Sequence, residues 1–262
     1  SLNERKKLVS PAIDRTFFVD LNCIAAGSFL KAYSLFGEEK YKVIGLDCLK
    51  KIYEKKIVDS RVLHYENDLE KVNGFLSDYT LLINASLNAY FYSQDKFFLE
   101  KAVAVSEVCK KKFFDDTQKV FFDVEQNNEV GFLQQRKANP KLNSLMSLNL
   151  ALLNDLQPND ELVNMSGSLN LFSAGKSIEM GIFGAFSAKT VLILENLIGL
   201  KTSLLEFQNK DFLKKIFYND FGNIVFTLDE SAPKGSFLAC WNNRCYPPIK
   251  VVNGLGLYEQ LK

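Results

Sequence analysis

Three side chains of this 262-residue sequence could do chemistry by their type and spacing. His64 is the one histidine, and its side chain changes charge nearest neutral pH when unperturbed. Asp20 and Asp78 lie in VDLN and LSDY, 58 residues apart. Two carboxylates facing one cavity suit glycosidic bond cleavage, one as acid and the other as base or nucleophile. As a general base His64 needs a carboxylate or carbonyl to orient it, and Asp78 is the expected neighbour. Plainer readings stand beside these. Both aspartates would then only stabilise helix N-termini, with Ser77 as N-cap and Asp78 favouring the positive end of the dipole, and His64 would sit half-exposed in a loop.

Other chemistries are excluded by count. A single histidine rules out three-histidine zinc sites, HExxH proteases and a two-histidine acid/base pair within the chain. Cys240 and Cys245 are too few for a structural zinc site, and they read as free thiols in preference to a local disulfide. The sequence contains no GxGxxG, P-loop or GxSxG run, so neither metal nor cofactor is expected. Lys plus Arg total 32 against 31 for Asp plus Glu, which argues against a nucleic-acid partner. The five cysteines are odd in number and scattered, which points to a reducing, cytoplasmic setting. The most apolar stretch, Met180 to Leu194, is broken by Ser187, Lys189 and Thr190, so no membrane segment is expected and the chain reads as soluble.

The elements that must position these residues come from an internal repeat. Gly37–Ile52 lies over Ser93–Val108, with Lys40 falling on Lys96. In each copy an acidic turn precedes an aromatic residue and a helix with apolar residues at three- and four-residue steps: Tyr41, Ile44, Cys48 and Ile52, then Phe97, Val105 and Val108. Each helix ends in lysines, which suit a helix C-terminus, and runs into a short extended segment, RVLHY or KVFFDV. The upstream helices, ending near Tyr33 and Tyr90, match too. A third unit starts near Asn143, turns at Gln157–Asp160 and continues from Glu161 to Phe172. Hairpins of this size must stack on neighbours to bury their faces. The expected architecture is mainly α, a partial α/α-toroid over residues 1–188, the alternative being a generic helical bundle. From residue 189 to 262 a small α/β subdomain is expected. Its strands would be Thr190–Leu194, Asn223–Leu228 and Ser236–Cys240, with a helix at Asp211–Tyr218 and a closing turn at Leu257–Leu261.

Four runs are distinctive: Gly74-Phe75-Leu76-Ser77-Asp78-Tyr79, Leu63-His64-Tyr65, Pro140 with Asn143 and Ser144, and the Cys240 to Pro247 tail. In this order they resemble the C-terminal part of the thioredoxin-domain-containing proteins related to spermatogenesis-associated protein 20. The resemblance implies an α/α-toroid similar to sugar epimerases and six-hairpin glycosidases, following a thioredoxin-like domain. Its motif supports a position for Asp78 at the mouth where inner helices begin, and Asp78, His64 and Asp20 are the candidate catalytic residues there. Asn22, Tyr79, Arg136 and Asn143, with Lys137, would offer hydrogen bonds to sugar hydroxyls; Tyr79 is equally a core residue, and Arg136–Lys137 equally solvated charge.

Upstream the sequence departs from that family. Pro11, Asp14 and Asn22 fit its pattern, but Ala12, Thr16, Leu21 and Cys23 replace its His, Lys, Trp and Gly. The expected function is binding or processing of a carbohydrate; the alternative is a catalytically degenerate scaffold for a thioredoxin-like domain outside this chain. Three hairpins are about half of a six-hairpin ring, so a piece of a longer protein is expected, and its uncovered apolar faces predict a homo-oligomer.

Overall fold

The computed structural model describes residues 2–5, 8, 13, 15–67, 69–126, 135–203, 224–229, 231–233, 236–241 and 244–250. After a short turn of helix, α1 (Leu2–Arg5), come three helical hairpins: α2 (Val19–Phe36) with α3 (Glu39–Lys55), α4 (Leu76–Ser93) with α5 (Lys96–Phe113), and α6 (Pro140–Leu156) with α7 (Asp160–Ser177). Local chemistry sets their ends. Gly37 closes α2 in the left-handed region at φ 68°, and Gln94 closes α4 at φ 57°. Asp95, Asn139 and Asn159 cap α5, α6 and α7 by accepting backbone N–H bonds, with Pro140 in the first turn of α6. The repeat expected from sequence is therefore present three times.

Helices α2, α4 and α6 form an inner row, each packed on the next, while α3, α5 and α7 lie outside as their hairpin partners. Position explains composition: α4 has neighbours on several sides and buries thirteen of its residues, whereas α3 buries four. Buried polar contacts fix how the helices sit. Tyr53 and Ser86 hydroxyls meet at 2.6 Å between α3 and α4. The Asn149 amide donates to the Thr80 carbonyl at 2.9 Å between α6 and α4. Ser147 and Ser166 hydroxyls each donate to the other's backbone carbonyl between α6 and α7. Each such pair rewards one helix register, because an unpaired buried polar group costs free energy.

The extended segments after the first two hairpins fold as ribbons. β1 (Ile57–Val58), β2 (Arg61–Glu66) and β3 (Lys71–Asn73) make an antiparallel sheet; β4 (Phe114–Asp115) pairs with β5 (Val120–Phe121). Beyond α7, a 3-10 turn (Gly181–Gly184) leads into α8 (Ala185–Glu195). This corrects the strand expected at Thr190–Leu194. Its β-branched residues read as strand, but Ser187, Thr190 and Ile193 recur at three-residue steps and are buried where α8 packs on α6 and α7. The Ser144 hydroxyl donates to Thr190 at 2.8 Å, joining α6 to α8.

The C-terminal sheet has the order β10-β8-β6-β7, with β9 on β8: β6 (Ile198–Thr202), β7 (Ile224–Leu228), β8 (Ser236–Trp241), β9 (Arg244–Cys245) and β10 (Ile249–Lys250). The strands expected at Asn223–Leu228 and Ser236–Cys240 correspond to β7 and β8. The helix and closing turn expected at Asp211–Tyr218 and Leu257–Leu261 lie outside the described residues. Cys240 and Cys245 face each other across β8 and β9 and form a disulfide, with Cα atoms 4.0 Å apart. That corrects the free-thiol reading: hairpin pairing, which sequence spacing does not reveal, places the two sulfurs together. Among the described residues, no helix is long and apolar enough to cross a membrane.

Gly74, at the β3–α4 junction, shows how tightly the ribbon meets the inner row. Its N–H donates to the Val62 carbonyl at 2.8 Å, and an added Cβ would lie 2.7 Å from that oxygen and 3.3 Å from the Tyr79 ring. Gly74→Ala should therefore cost about 1–3 kcal/mol, read as a lowered urea midpoint. An unchanged midpoint would mean that the ribbon is not held against α4 as described.

Candidate functional site

The start of α4 gathers the chemistry-bearing residues. Helix α4 begins at Leu76 with Phe75 as its N-cap, so Ser77 is not the cap expected from sequence. Asp78, in the first turn, turns its carboxylate back to accept the Phe75 N–H at 2.8 Å, satisfying a donor that the helix leaves open. The same carboxylate accepts the Asp20 N–H from the first turn of α2 at 3.1 Å. His64 Nδ1 completes the set, 3.0 and 3.1 Å from the two carboxylate oxygens. Asp78 has no exposed surface.

His64 reaches this position through a β-bulge. In the β2–β3 pairing Leu63 opposes Asn73 and Tyr65 opposes Val72, so His64 falls at the register shift, and a bulge redirects a side chain. Its ring lies among Phe18, Tyr65 and Phe75, with centroids 5.3, 5.7 and 5.0 Å away. Asp20 is half-buried and its carboxylate accepts the Leu21 N–H at 2.7 Å. One ligand-type atom from each of Asp20, His64 and Asp78 lies within 4.8 Å of the others. One nitrogen and two carboxylates could hold a cation, but three donors already occupy Asp78. With Nδ1 protonated and donating to Asp78, the imidazole keeps its Nε2 lone pair for proton transfer.

Four of the five residues expected to bind a sugar are spent otherwise. Asn22 donates its amide to the Phe18 carbonyl at 2.7 Å. Tyr79 is 1% exposed, packs on Phe113 and accepts the Val62 N–H at 3.1 Å. Asn143, wholly buried, binds both the N–H and the carbonyl of Phe121 at 2.8 and 2.9 Å, fastening α6 to β5. Arg136 stacks its guanidinium 4.2 Å from the Phe122 ring centre and lies 3.7 Å from Asp115. Tyr79 and Asn143 therefore correct the expectation of mouth-lining donors. Their polar atoms serve backbone groups that burial would otherwise leave unpaired.

The concave feature lies alongside. A cavity of about 740 Å³ opens between α2, α4, α6 and α8, with Ile224 and Phe226 of β7 also in its wall. None of the eight residues selected from sequence lines it, although Ser77, next to Asp78, and Ile24, one turn beyond Asp20, both do. Its polar groups include Asn84 and Asn88 on one face of α4. Asn88 donates to Asn84 at 3.3 Å, and Asn84 donates to the buried Asn149 at 2.8 Å. This ladder was not expected from sequence, where its signal is two asparagines four residues apart on an inner helix.

Burial raises the Asp78 carboxyl above its ordinary value of 3.8, against hydrogen bonds from His64 and Phe75 that lower it, while the charge of Asp20 adds to the rise. A carboxyl raised on folding contributes stability below its unfolded pKa and loses it as pH climbs through the folded value. Asp78→Asn, which leaves a buried donor facing an amide, should cost about 1–3 kcal/mol at acid pH. Urea denaturation across pH should show this cost shrinking from about pH 4 upward. A cost that instead grows toward neutral pH would mean that the carboxyl is held down.

No protein-family model matches the chain. An uncharacterised protein of Caenorhabditis elegans is 28% identical over 176 residues, which is 61% of this chain and 23% of that protein. Among solved structures, a selenomethionine derivative of a GH76 α-mannanase from Bacteroides thetaiotaomicron is similar at TM-score 0.57 and 14% identity, covering 80% of this chain and 58% of that one. A family 76 mannosidase from Bacteroides thetaiotaomicron VPI-5482 gives 0.54 at 12% identity, covering 64% and 46%. A D-mannose isomerase gives 0.54 at 12%, covering 78% and 59%. The chain thus spans about a quarter of the length of the worm protein and about half that of the solved structures. At these identities the likeness is one of fold: the chain adopts the α/α-toroid, glycosidase-like architecture.

Proposed function

We propose that this chain is a carbohydrate-binding toroid domain, with the sugar held in the cavity of the inner helices and Asp20, His64 and Asp78 as the acid/base group beside it. The cavity carries the reading. It is of ligand size, it is framed by inner helices of a fold shared with sugar-acting proteins, and its Asn84–Asn88 ladder sets amide groups against an apolar wall. Amides bind hydroxyl groups, and the apolar wall suits the C–H faces of a pyranose.

The chemistry that fits is transfer of a proton through one oriented imidazole. Hydrolysis of a glycosidic bond asks for two carboxylates that reach the substrate, whereas Asp78 is enclosed and occupied. Asp78 is the positioning residue in this reading: it holds Nδ1 and leaves Nε2 as the base, with Asp20 as the adjacent half-buried carboxylate. The sequence runs around Gly74, His64, Asn143 and Cys240 support a place among the thioredoxin-domain-containing relatives of spermatogenesis-associated protein 20.

The second reading is a degenerate scaffold that docks a thioredoxin-like domain or another copy of itself. The exposed Leu21 and Ile24 on α2, and Phe186 and Leu192 on α8, favour it. The two readings separate in a thermal-shift series with mannose and manno-oligosaccharides. Ligand at 100 times its dissociation constant should add about 2.7 kcal/mol, several degrees in Tm. Asn88→Ala should abolish the shift while changing stability by about 1 kcal/mol or less. No shift with any sugar would leave the scaffold. Where turnover between aldose and ketose is observed by proton NMR, His64→Gln should remove it.

A further inference from the structure

The charge of the cavity wall narrows the ligand class, an argument that rests on the carbohydrate reading. Among the described residues, Lys31, Lys141 and Lys189 line the cavity, and no Asp, Glu or His does. The whole chain is nearly balanced, 32 basic against 31 acidic residues, so this excess is local. Two of the lysines are related through Phe186. The Lys141 ammonium lies 4.2 Å from the centre of the Phe186 ring, and Phe186 is three residues before Lys189 on α8, hence on the same face. Lys141 occupies the first turn of α6, where a cation is set against the helix dipole. Among the described residues, neither Lys141 nor Lys189 pairs with a carboxylate.

Both lysines are exposed, so an anion at this rim of the cavity is attracted by two unpaired cations through a field that salt screens, beside a largely apolar wall. The Asn84–Asn88 ladder faces the same space and offers groups suited to hydroxyls. We infer that the cavity takes an anionic carbohydrate, a sugar phosphate or a uronate, with its charged group at Lys141 and Lys189 and its ring along α4.

The test is isothermal titration of the 262-residue chain with mannose, mannose 6-phosphate, glucuronate and inorganic phosphate. An anionic sugar should bind at least about tenfold more tightly than mannose, and raising the salt should narrow that margin. Mannose 6-phosphate against glucuronate identifies which anion is preferred. Lys189→Gln should cut the margin to about threefold or less. Lys189→Arg should keep it, and so should Lys176→Gln, whose lysine pairs with Glu179 on another surface. Circular dichroism of each variant confirms that the fold is intact. Equal binding of mannose and the anionic sugars overturns the inference and leaves the carbohydrate reading standing. Inorganic phosphate binding as tightly as mannose 6-phosphate overturns it as well, because the ring would then contribute nothing. Binding of none of the four removes the carbohydrate reading and the inference with it.

Discussion

The buried carboxylate of Asp78 holds the start of two inner helices and the ribbon between them in one arrangement. It accepts an N–H from its own helix, one from α2 and the imidazole of His64 on β2. A charge-capable group without exposed surface is tolerated only when its lone pairs are used, so these donors and the carboxylate require one another. Displacing α2 relative to α4, or β2 relative to either, would leave a buried donor or acceptor alone. The geometry of His64 is therefore a consequence of hairpin stacking rather than of local sequence.

The same logic recurs along the inner row. α6 is joined to α4 by Asn149, to α7 by Ser147 and to α8 by Ser144. Apolar faces alone would let the helices slide, since burial is non-directional; directional polar contacts select one register. A defined cavity needs that fixity. Asn84 and Asn88 face the same space as Lys141 and Lys189 because α4, α6 and α8 are held at set heights.

Part of this was legible in the sequence. The hairpins follow from helical spacing of apolar residues, a local signal, although the third begins at Pro140, capped by Asn139, rather than near Asn143. His64, on the extended segment between hairpins, is expected beside Asp78 because a general base needs a carboxylate to orient it, and the structure places the two in contact. Other residues misled. Thr190 and its β-branched neighbours suggested a strand, but packing on α6 outweighs propensity. Tyr79 and Asn143 looked like ligand donors and instead satisfy the backbone of Val62 and Phe121.

What the sequence by itself determined is the set of helices, their grouping in hairpins, the repeat and the scarcity of acid/base groups. All of these depend on residues within a few turns of one another or on composition. The tertiary structure alone decided that Asp20 meets Asp78 across 58 residues and that Asn149 meets Thr80 across 69. It also decided that Cys240 bonds Cys245, and that three lysines and three asparagines share one cavity. Such contacts depend on the angles and heights at which hairpins stack. Many side-chain interactions set these together, and no one segment of the chain encodes them.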